Sequence, residues 1–446
     1  MAVYPLLRTT LPQPDPGLVH TLPISNVTEL QNMNLNLAGH YYLTGNIDAS
    51  DTINWNGGAG FVPIGPHTTE YGLANRFIGT FDGCGYKITN LFINRGSGWN
   101  VSLFGCISSP AVIANVTLEN VSITGDDYYT ASLVSECTSY DAAGDVLIQN
   151  CHASGIIASY GTGFGYCGGL IGRINRKTGD ASSLTYLYDS SSACELDMSS
   201  ATNYNYRGGF VGYAIYAVIK NCYATGDLTG GNYGKNYFGG FAGVIRFSSV
   251  SFCYSTGSIE GVGNCGGGFA GFIGDGAIVS SCYSTGDVGG NTILGGFGGQ
   301  IQAGDVVPTD AYVTDCYSWG DAAATGTIVG GFCGASANTH NHFTNCYSKG
   351  SASGTGSVGG FIGDAHPSLD VESCYWDKQA SGNPTTDEGK GEGHITVWFR
   401  KKSHFTGWDF DLVWYMPDFG RQIIMGRPRS SYPMFAPHTV NRNVYG

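Results

Sequence analysis

Fourteen cysteines carry the most reactive side chains in this chain of 446 residues. Half of them recur at equivalent places in a repeated segment, at Cys151, Cys222, Cys253, Cys282, Cys316, Cys346 and Cys374. Such a column could form disulfides, hold a metal, or be a ladder of buried thiols that pack as small hydrophobic side chains. We favour the thiol ladder, because parallel Cα–Cβ vectors in stacked strands do not suit the torsion of about 90° in a disulfide. The off-column cysteines are the better bridge candidates: Cys84, Cys106, Cys137, Cys167, Cys194, Cys265 and Cys333.

Tyrosine follows six of the column cysteines directly in sequence. Side chains alternate between the two faces of a strand, so the tyrosines face away from the cysteines. A tyrosine row at the surface could stack on sugars or dock a protein partner, and the alternative is β-propensity with partial burial, which we favour. The candidate ligand or partner face therefore consists of Tyr223, Tyr254, Tyr283, Tyr317 and Tyr347.

Other chemical groups indicate structure rather than catalysis. Asp227, Asp287 and Asp321 follow turns and could line up as Ca²⁺ ligands, but single carboxylates at corners more often form turns. His340 and His342 have no zinc-type spacing to a carboxylate or thiolate. The sequence has no Gly-x-Ser-x-Gly elbow, Walker loop or His-Glu-x-x-His motif. We therefore predict no catalytic residue, no metal and no cofactor, and a protein that is not an enzyme.

These residues are positioned by a repeated Gly-Gly-[Phe/Leu]-x-Gly pentapeptide, whose starts lie 28 to 40 residues apart. Each later copy of the pentapeptide is followed by a second element, which contains the column cysteine and an apolar residue three positions before it. Short β-rich runs between glycine-rich turns predict strands that stack about 4.8 Å apart as the coils of a solenoid. The glycines allow tight corners and close approach of neighbouring coils. The structural positions are Gly208, Phe210, Gly240, Phe241, Gly268, Phe269, Gly296, Phe297, Gly331, Phe332, Gly360 and Phe361.

Composition narrows the function classes. The formal net charge is −13, so the chain lacks the basic surface that binds nucleic acid. The sequence has no run of about 20 apolar residues, which is the length that a membrane-spanning helix needs. Charged residues make up 12% of the chain, which argues against amphipathic helices.

The repeats closely resemble those of the GLUG-motif family, which occur in bacterial adhesin-like, phage and protist surface proteins. Segments 24–33, 41–50, 61–65 and 77–93 resemble the opening segments of that family, and 374–382 and 405–414 resemble its terminal cap. The resemblance implies parallel β-helical coils. It indicates the fold far better than any activity.

We therefore predict an all-β chain that forms a right-handed parallel β-helix of about 10–12 coils. Residues 1–23 are predicted to be an extended arm, 24–65 an N-terminal cap, 66–376 the repeats and 377–446 a C-terminal cap.

The functional hypothesis is a structural or adhesive surface protein without enzymatic activity. A chain that starts at Met without a secretion signal suggests a component of a phage or virus surface, such as a decoration, fibre or tail protein. An exported cell-surface adhesin that binds glycans is the alternative, and a polysaccharide-active enzyme follows behind. Expected partners are other protein subunits of a virion or surface assembly, surface glycans and further copies of the chain, without nucleic acid or membrane insertion.

Overall fold

The computed structural model describes residues 18, 20–66, 75–96, 100–125, 128–139, 144–160, 165–176, 183–199, 205–231, 236–303, 309–382, 390–416 and 434–435. Most of the arm predicted over residues 1–23 lies outside these residues, as does part of the predicted C-terminal cap. The boundaries of the four predicted segments stay predictions.

Each regular coil contains five short strands joined by tight corners. One coil runs through Tyr237–Gly239, Ala242–Arg246, Ser249–Ser251, Tyr254–Ser255 and Ile259–Val262. The next strand, Cys265–Gly267, pairs in parallel with Tyr237–Gly239 and so begins the following coil. The strands form four stacked parallel sheets, here called faces 1 to 4 in the order in which a coil visits them.

Two faces flank the repeated glycine-glycine corner. Face 1 consists of Asn100–Val101, Tyr129–Thr130, Gly165–Gly168, Asn205–Gly208, Tyr237–Gly239, Cys265–Gly267, Ile293–Gly295, Ile328–Gly330 and Ser357–Gly359. Face 2 consists of Phe104–Ser108, Val134–Ser139, Ile171–Arg176, Val211–Ile215, Ala242–Arg246, Ala270–Gly274, Gly298–Ile301, Cys333–Ser336 and Ile362–Ala365.

The other two faces extend further along the stack. Face 3 consists of Leu22–Ile24, His40–Leu43, Thr80–Asp82, Val112–Ala114, Val146–Gln149, Thr185–Tyr188, Ala217–Lys220, Ser249–Ser251, Ile278–Ser280, Ala311–Thr314, Asn341–Thr344 and Asp370–Glu372. Face 4 consists of Ile47–Asp48, Lys87–Thr89, Phe92–Arg95, Thr117–Gly125, His152–Ser159, Ser191–Asp197, Tyr223–Ala224, Leu228–Thr229, Tyr254–Ser255, Ile259–Val262, Tyr283–Ser284, Val288–Gly290, Tyr317–Ser318, Ala322–Ala324, Tyr347–Ser348, Ala352–Ser353, Tyr375–Asp377 and Glu392–His394.

The remaining elements lie near the two ends. The described residues include one α-helix, Val27–Asn32, and the 3₁₀ segments Met33–Leu35, Ser50–Gly58, Trp398–Arg400 and Lys402–His404. Trp414–Tyr415 pairs antiparallel with Met434–Phe435. Among the described residues, no helix has the length and apolar character needed to cross a membrane.

The predicted all-β parallel solenoid is confirmed. Face 3 contains twelve stacked strands and faces 1 and 2 contain nine each. Twelve strands are reached on face 3 alone, so the stack of coils with strands on all four faces is shorter than the predicted 10–12 coils.

Stacked phenylalanines fill the interior. The six predicted phenylalanines from Phe210 to Phe361 are fully buried, and successive rings stack at centroid distances of 4.8–4.9 Å. The adjacent glycines are needed for this spacing: a Cβ on Gly240, Gly268 or Gly296 would lie less than 3.0 Å from the carbonyl oxygen of the equivalent glycine in the next coil. A Cβ on Gly360 would meet the Trp376 ring instead.

A left-handed corner precedes the cysteine column. The residue before each column cysteine has a φ of 50–56°, as at Asn221, Asp315 and Asn345. Asparagine and aspartate tolerate this conformation better than other residues with side chains. Their side chains also bond along the stack, because Asn345 donates to Asp315 at 3.1 Å and Asn221 donates to Asp189 at 3.0 Å.

Candidate ligand face

The predicted tyrosine column forms an aligned row on face 4, here called the tyrosine ladder, which consists of Tyr223, Tyr254, Tyr283, Tyr317, Tyr347 and Tyr375. The first four rings stack at centroid distances of 4.8 Å and are nearly parallel. A sugar stacks against the flat face of an aromatic ring. Because each interior ring has both flat faces covered by its neighbours, those rings offer only their edges and hydroxyl groups.

The lower part of the ladder, meaning its last three rings in sequence, is covered by the C-terminal segment. Tyr347 is fully buried, and Tyr317 and Tyr375 are each 5% exposed. They form an aromatic cluster with Phe399, Phe405, Trp408, Trp414 and Met416. The prediction that Tyr317 and Tyr347 belong to an available ligand face is therefore wrong, because aromatic residues distant in sequence occupy that surface.

The upper part of the ladder remains partly exposed at Tyr223, Tyr254 and Tyr283. Tyr223 differs from the others, since the aligned residue on the preceding coil is Ser191. Within the described residues, no aromatic ring stacks on that side of Tyr223. The tyrosine ladder therefore ends in one ring face that no neighbouring coil covers with a ring.

His152 lies on the far side of Ser191. Its aligned partner is Ser191, and its Nδ1 is 2.8 Å from the Ser191 hydroxyl oxygen. Tyr223 and His152 are thus two strand spacings apart, or about 9.6 Å. Burial lowers the pKa of His152, partly offset by the nearby charge of Asp189, so the imidazole is neutral at neutral pH. We call the region bounded by Tyr223, Ser191 and His152 the Ser191 gap.

A second aromatic row on face 1 was not predicted from the sequence. Tyr129, Tyr166, Tyr206 and Tyr237 stack at centroid distances of 5.1–5.8 Å. The Arg173 guanidinium lies 4.9 Å from the Tyr166 ring centre. The signal that could have identified this row is a tyrosine two residues before the Gly-Gly pair, which occurs at three of its positions.

The arginine beside this row, Arg173, makes its polar contacts with other side chains of the protein. Arg173 Nη1 donates to the Tyr129 hydroxyl at 2.6 Å and lies 3.8 Å from the Glu136 carboxylate. Its side chain is 14% exposed. The second row is therefore a packing cluster around an arginine whose Nη1 faces Glu136 and Tyr129, rather than an open anion site.

All fourteen cysteines lie in described residues and are free thiols. The column thiols are buried and donate to backbone carbonyls, as Cys316 does to Thr314 at 3.2 Å. Burial raises the pKa of Cys151 to about 12, so this thiol stays protonated. The off-column cysteines that we considered the better bridge candidates are unbridged too, and Cys84 is the exposed one.

Turn carboxylates link successive coils. Asp227 accepts the backbone N–H of Ser258 at 2.8 Å, and Asp321 accepts that of Ser351 at 2.7 Å. Asp287 accepts the backbone N–H of Asp321 at 2.8 Å. These bonds give the three aspartates a structural role between coils.

The coil stacking brings carboxylates to the histidine pair, although the sequence suggested none nearby. Asp310 lies 2.9 Å from His340 Nδ1, and Asp370 lies 2.8 Å from His342 Nδ1. These contacts are partly exposed hydrogen bonds, which are ion pairs only when the histidine is protonated, and such pairs contribute little to stability.

Comparison with known proteins supports the repeat assignment. The family model of the GLUG motif matches residues 203–229, which confirms the predicted resemblance at that repeat. Halomucin of Haloquadratum walsbyi is 36% identical over 157 residues, which are 34% of this chain and 2% of halomucin. A candidate Gly-rich membrane protein of Evansella cellulosilytica is 40% identical over 87 residues, or 20% of this chain and 9% of that protein. The chain thus spans less than a tenth of these relatives.

Two solved structures resemble the chain weakly. One is a candidate immunoglobulin A1 protease from Bacteroides ovatus, with 18% identity, a TM-score of 0.39 and coverage of 93% of this chain and 91% of that one. The other is an IgA1 protease, with 17% identity, a TM-score of 0.41 and coverage of 79% and 21%. At these scores the likeness carries no argument about activity.

Proposed function

We propose that this GLUG-repeat solenoid is a surface protein displayed outside the cell and that it binds glycans at the open end of its tyrosine ladder. The name of the Evansella relative places that protein at a membrane, which supports display at the cell surface. The elongated stack of coils with few charges supports a role in spacing and adhesion.

The observation that carries the glycan proposal is the partly exposed Tyr223 ring, on one side of which no ring stacks among the described residues. Ser191 takes the place of a tyrosine on the preceding coil, so the regular stacking stops there. The neutral His152 ring lies one coil beyond, and the largely buried Ser191 hydroxyl lies between the two, hydrogen-bonded to His152 Nδ1. An apolar ring face beside neutral hydrogen-bonding groups suits a neutral sugar, whose rings have an apolar face and hydroxyl edges.

Two substitutions test this site in opposite ways. Tyr223→Ala removes the ring, and we expect glycan affinity to fall about 2- to 10-fold, since an aromatic contact contributes roughly 0.5–1.5 kcal/mol. Ser191→Tyr extends the tyrosine ladder by one ring and covers the Tyr223 face, so binding should be lost while the fold is retained. Tyr160→Ala is the matched control, because Tyr160 is a half-exposed tyrosine away from this gap.

The measurement is binding of the purified chain to a glycan array, followed by calorimetric titration with the strongest neutral oligosaccharide. Thermal unfolding of each variant verifies its fold. Equal binding by wild type, Tyr223→Ala and Ser191→Tyr would refute the site. Products with new reducing ends or unsaturated sugars would instead indicate a polysaccharide-active enzyme.

Absence of enzymatic activity, placement on a virus particle, and association with other subunits or further copies stay predictions. The glycan proposal depends on none of them.

A further inference from the structure

A histidine, an aspartate and a cysteine meet near the N-terminal end of face 3. The ligand atoms of His20, Asp82 and Cys84 all lie within 4.8 Å of one another. This is the one group of three or more such side chains found among the described residues. His20 precedes the first strand of face 3, Asp82 ends the third, and Cys84 lies in the turn that follows.

The His20 ring is held in place by two contacts. It stacks on Tyr42 with a centroid distance of 4.7 Å and an interplanar angle of 19°. Its Nε2 lies 2.7 Å from Asp82 Oδ2. The imidazole is thus oriented toward the carboxylate before any ligand binds.

The Asp82 carboxylate is buried and oriented. Its other oxygen, Oδ1, accepts the backbone N–H of Cys84 at 2.8 Å and the Asn115 side-chain amide at 3.0 Å. The second oxygen, Oδ2, is directed to the His20 imidazole.

Cys84 differs from all other cysteines of the chain. It is exposed, and its φ of 51° is left-handed, a conformation that suits glycine or asparagine better than cysteine. The bond from its backbone N–H to Asp82 fixes this turn and brings the thiol beside the carboxylate. The turn thus places an accessible sulfur next to two oriented ligands.

We infer that His20, Asp82 and Cys84 form a zinc-binding site. Zn²⁺ accepts imidazole nitrogen, carboxylate oxygen and thiolate sulfur, whereas sulfur disfavours Ca²⁺ and Mg²⁺. Binding of the ion would release the Cys84 thiol proton to solvent, and the resulting thiolate and the Asp82 carboxylate would together neutralise its two charges. Three protein ligands leave the fourth tetrahedral position for water or for a ligand from another molecule.

Zinc at this position would join distant parts of the chain. His20 precedes the first strand of face 3, while Asp82 lies on the third strand. The ion would therefore hold the first coil against the coils that follow and reinforce the open end of the sheet.

The test is titration of the full metal-free chain with Co²⁺ as a spectroscopic substitute, followed by competition with Zn²⁺. We expect one equivalent to bind with a thiolate-to-cobalt charge-transfer band, and Zn²⁺ to displace it. Cys84→Ser should abolish the band, and His20→Ala should weaken binding. His366→Ala is the matched control, because this histidine lies far along the chain and should leave binding unchanged.

Asn115→Gly separates orientation from ligation. Glycine tolerates the left-handed backbone at position 115, but it lacks the side-chain amide that orients Asp82. The affinity for the metal should therefore fall by about 10–100-fold. Absence of binding to the wild-type chain, or a cobalt spectrum that persists in Cys84→Ser, would overturn the inference. Circular dichroism without metal establishes that each variant is folded.

Discussion

Adding one methyl group at Gly268 should damage the stacking of coils severely. Gly268 lies at the corner beside Phe269, and a Cβ there would come below 3.0 Å from the carbonyl oxygen of Gly296 in the next coil. It would also lie 3.1 Å from the Cβ and Oγ of Ser284. The Ser284 hydroxyl donates to that same carbonyl at 2.6 Å. The Gly268→Ala variant must therefore push two coils apart or break this buried bond.

The expected cost follows from these two effects. Overpacking a dense core costs about 1–3 kcal/mol. Leaving a buried polar group unpaired costs about 1–3 kcal/mol as well. The free energy of unfolding should therefore fall by roughly 1–3 kcal/mol, whichever of the two changes relieves the clash.

Gly289 provides a matched control on face 4. A Cβ there would have one neighbour within 4 Å, the Ile259 carbonyl oxygen at 3.8 Å, which is ordinary contact. The Gly289→Ala variant should be neutral or stabilising by about 0.4–1 kcal/mol, because alanine lowers the entropy of the unfolded chain.

The assay is urea unfolding followed by circular dichroism, with hydrogen exchange to locate the damage. We expect a lower midpoint for Gly268→Ala and faster exchange in residues 265–301. If both alanine variants unfold at the wild-type midpoint, close packing at the glycine corner does not limit stability and the reasoning is refuted.

Three further predictions concern the thiols and the covered part of the tyrosine ladder. Titration of the native chain with an aromatic disulfide reagent should modify Cys84 first, because it is the exposed thiol. Its reaction should become faster as the pH rises toward the Cys84 pKa of about 11, which is raised by burial and then by the Asp82 charge. The other thiols should react only after unfolding, and early modification of several would contradict the buried column. Trp414→Ala should cost about 3–5 kcal/mol locally and expose Tyr347, so nitration of Tyr347, measured by mass spectrometry, should become faster. Burial raises the pKa of Asp315, so the folded state binds the proton more readily and this group favours folding as pH falls through its folded pKa. Asp315→Asn should therefore raise the melting temperature at neutral pH and flatten the acid dependence, whereas an unchanged pH profile would contradict this.

The regular columns could be predicted from the sequence because stacking repeats the same local environment in each coil. Phe269 packs on Phe241 and Phe297, so a position repeated along the chain becomes a continuous row in space. The same reasoning placed Cys282 in a buried column and Tyr254 in a stacked one.

Features that depend on interruptions of the repeat were missed. The cover over Tyr347 comes from Trp408 and Trp414, which lie beyond the last coil and share no repeat with it. The end of the ladder depends on Ser191, which lies in a longer segment between repeats. The periodicity of the coils does not indicate which residues are brought together by segments that interrupt the repeat.

The left-handed corner has a signal in the sequence, in the type of residue that precedes each column cysteine. The residue before each column cysteine is often Asn, Asp or Ser, and the structure gives its reason in a positive φ. By contrast, the meeting of His20 with Cys84 could not be predicted, because it needs the pairing of strands separated by a long irregular segment.

Immunogold electron microscopy of intact source cells, with an antibody to this chain, tests the proposed surface display most directly. We expect gold label on the outer surface of cells, reduced by competing soluble chain. Label confined to the cell interior would contradict surface display, and label restricted to virus particles would replace the cell surface with the virion as its location.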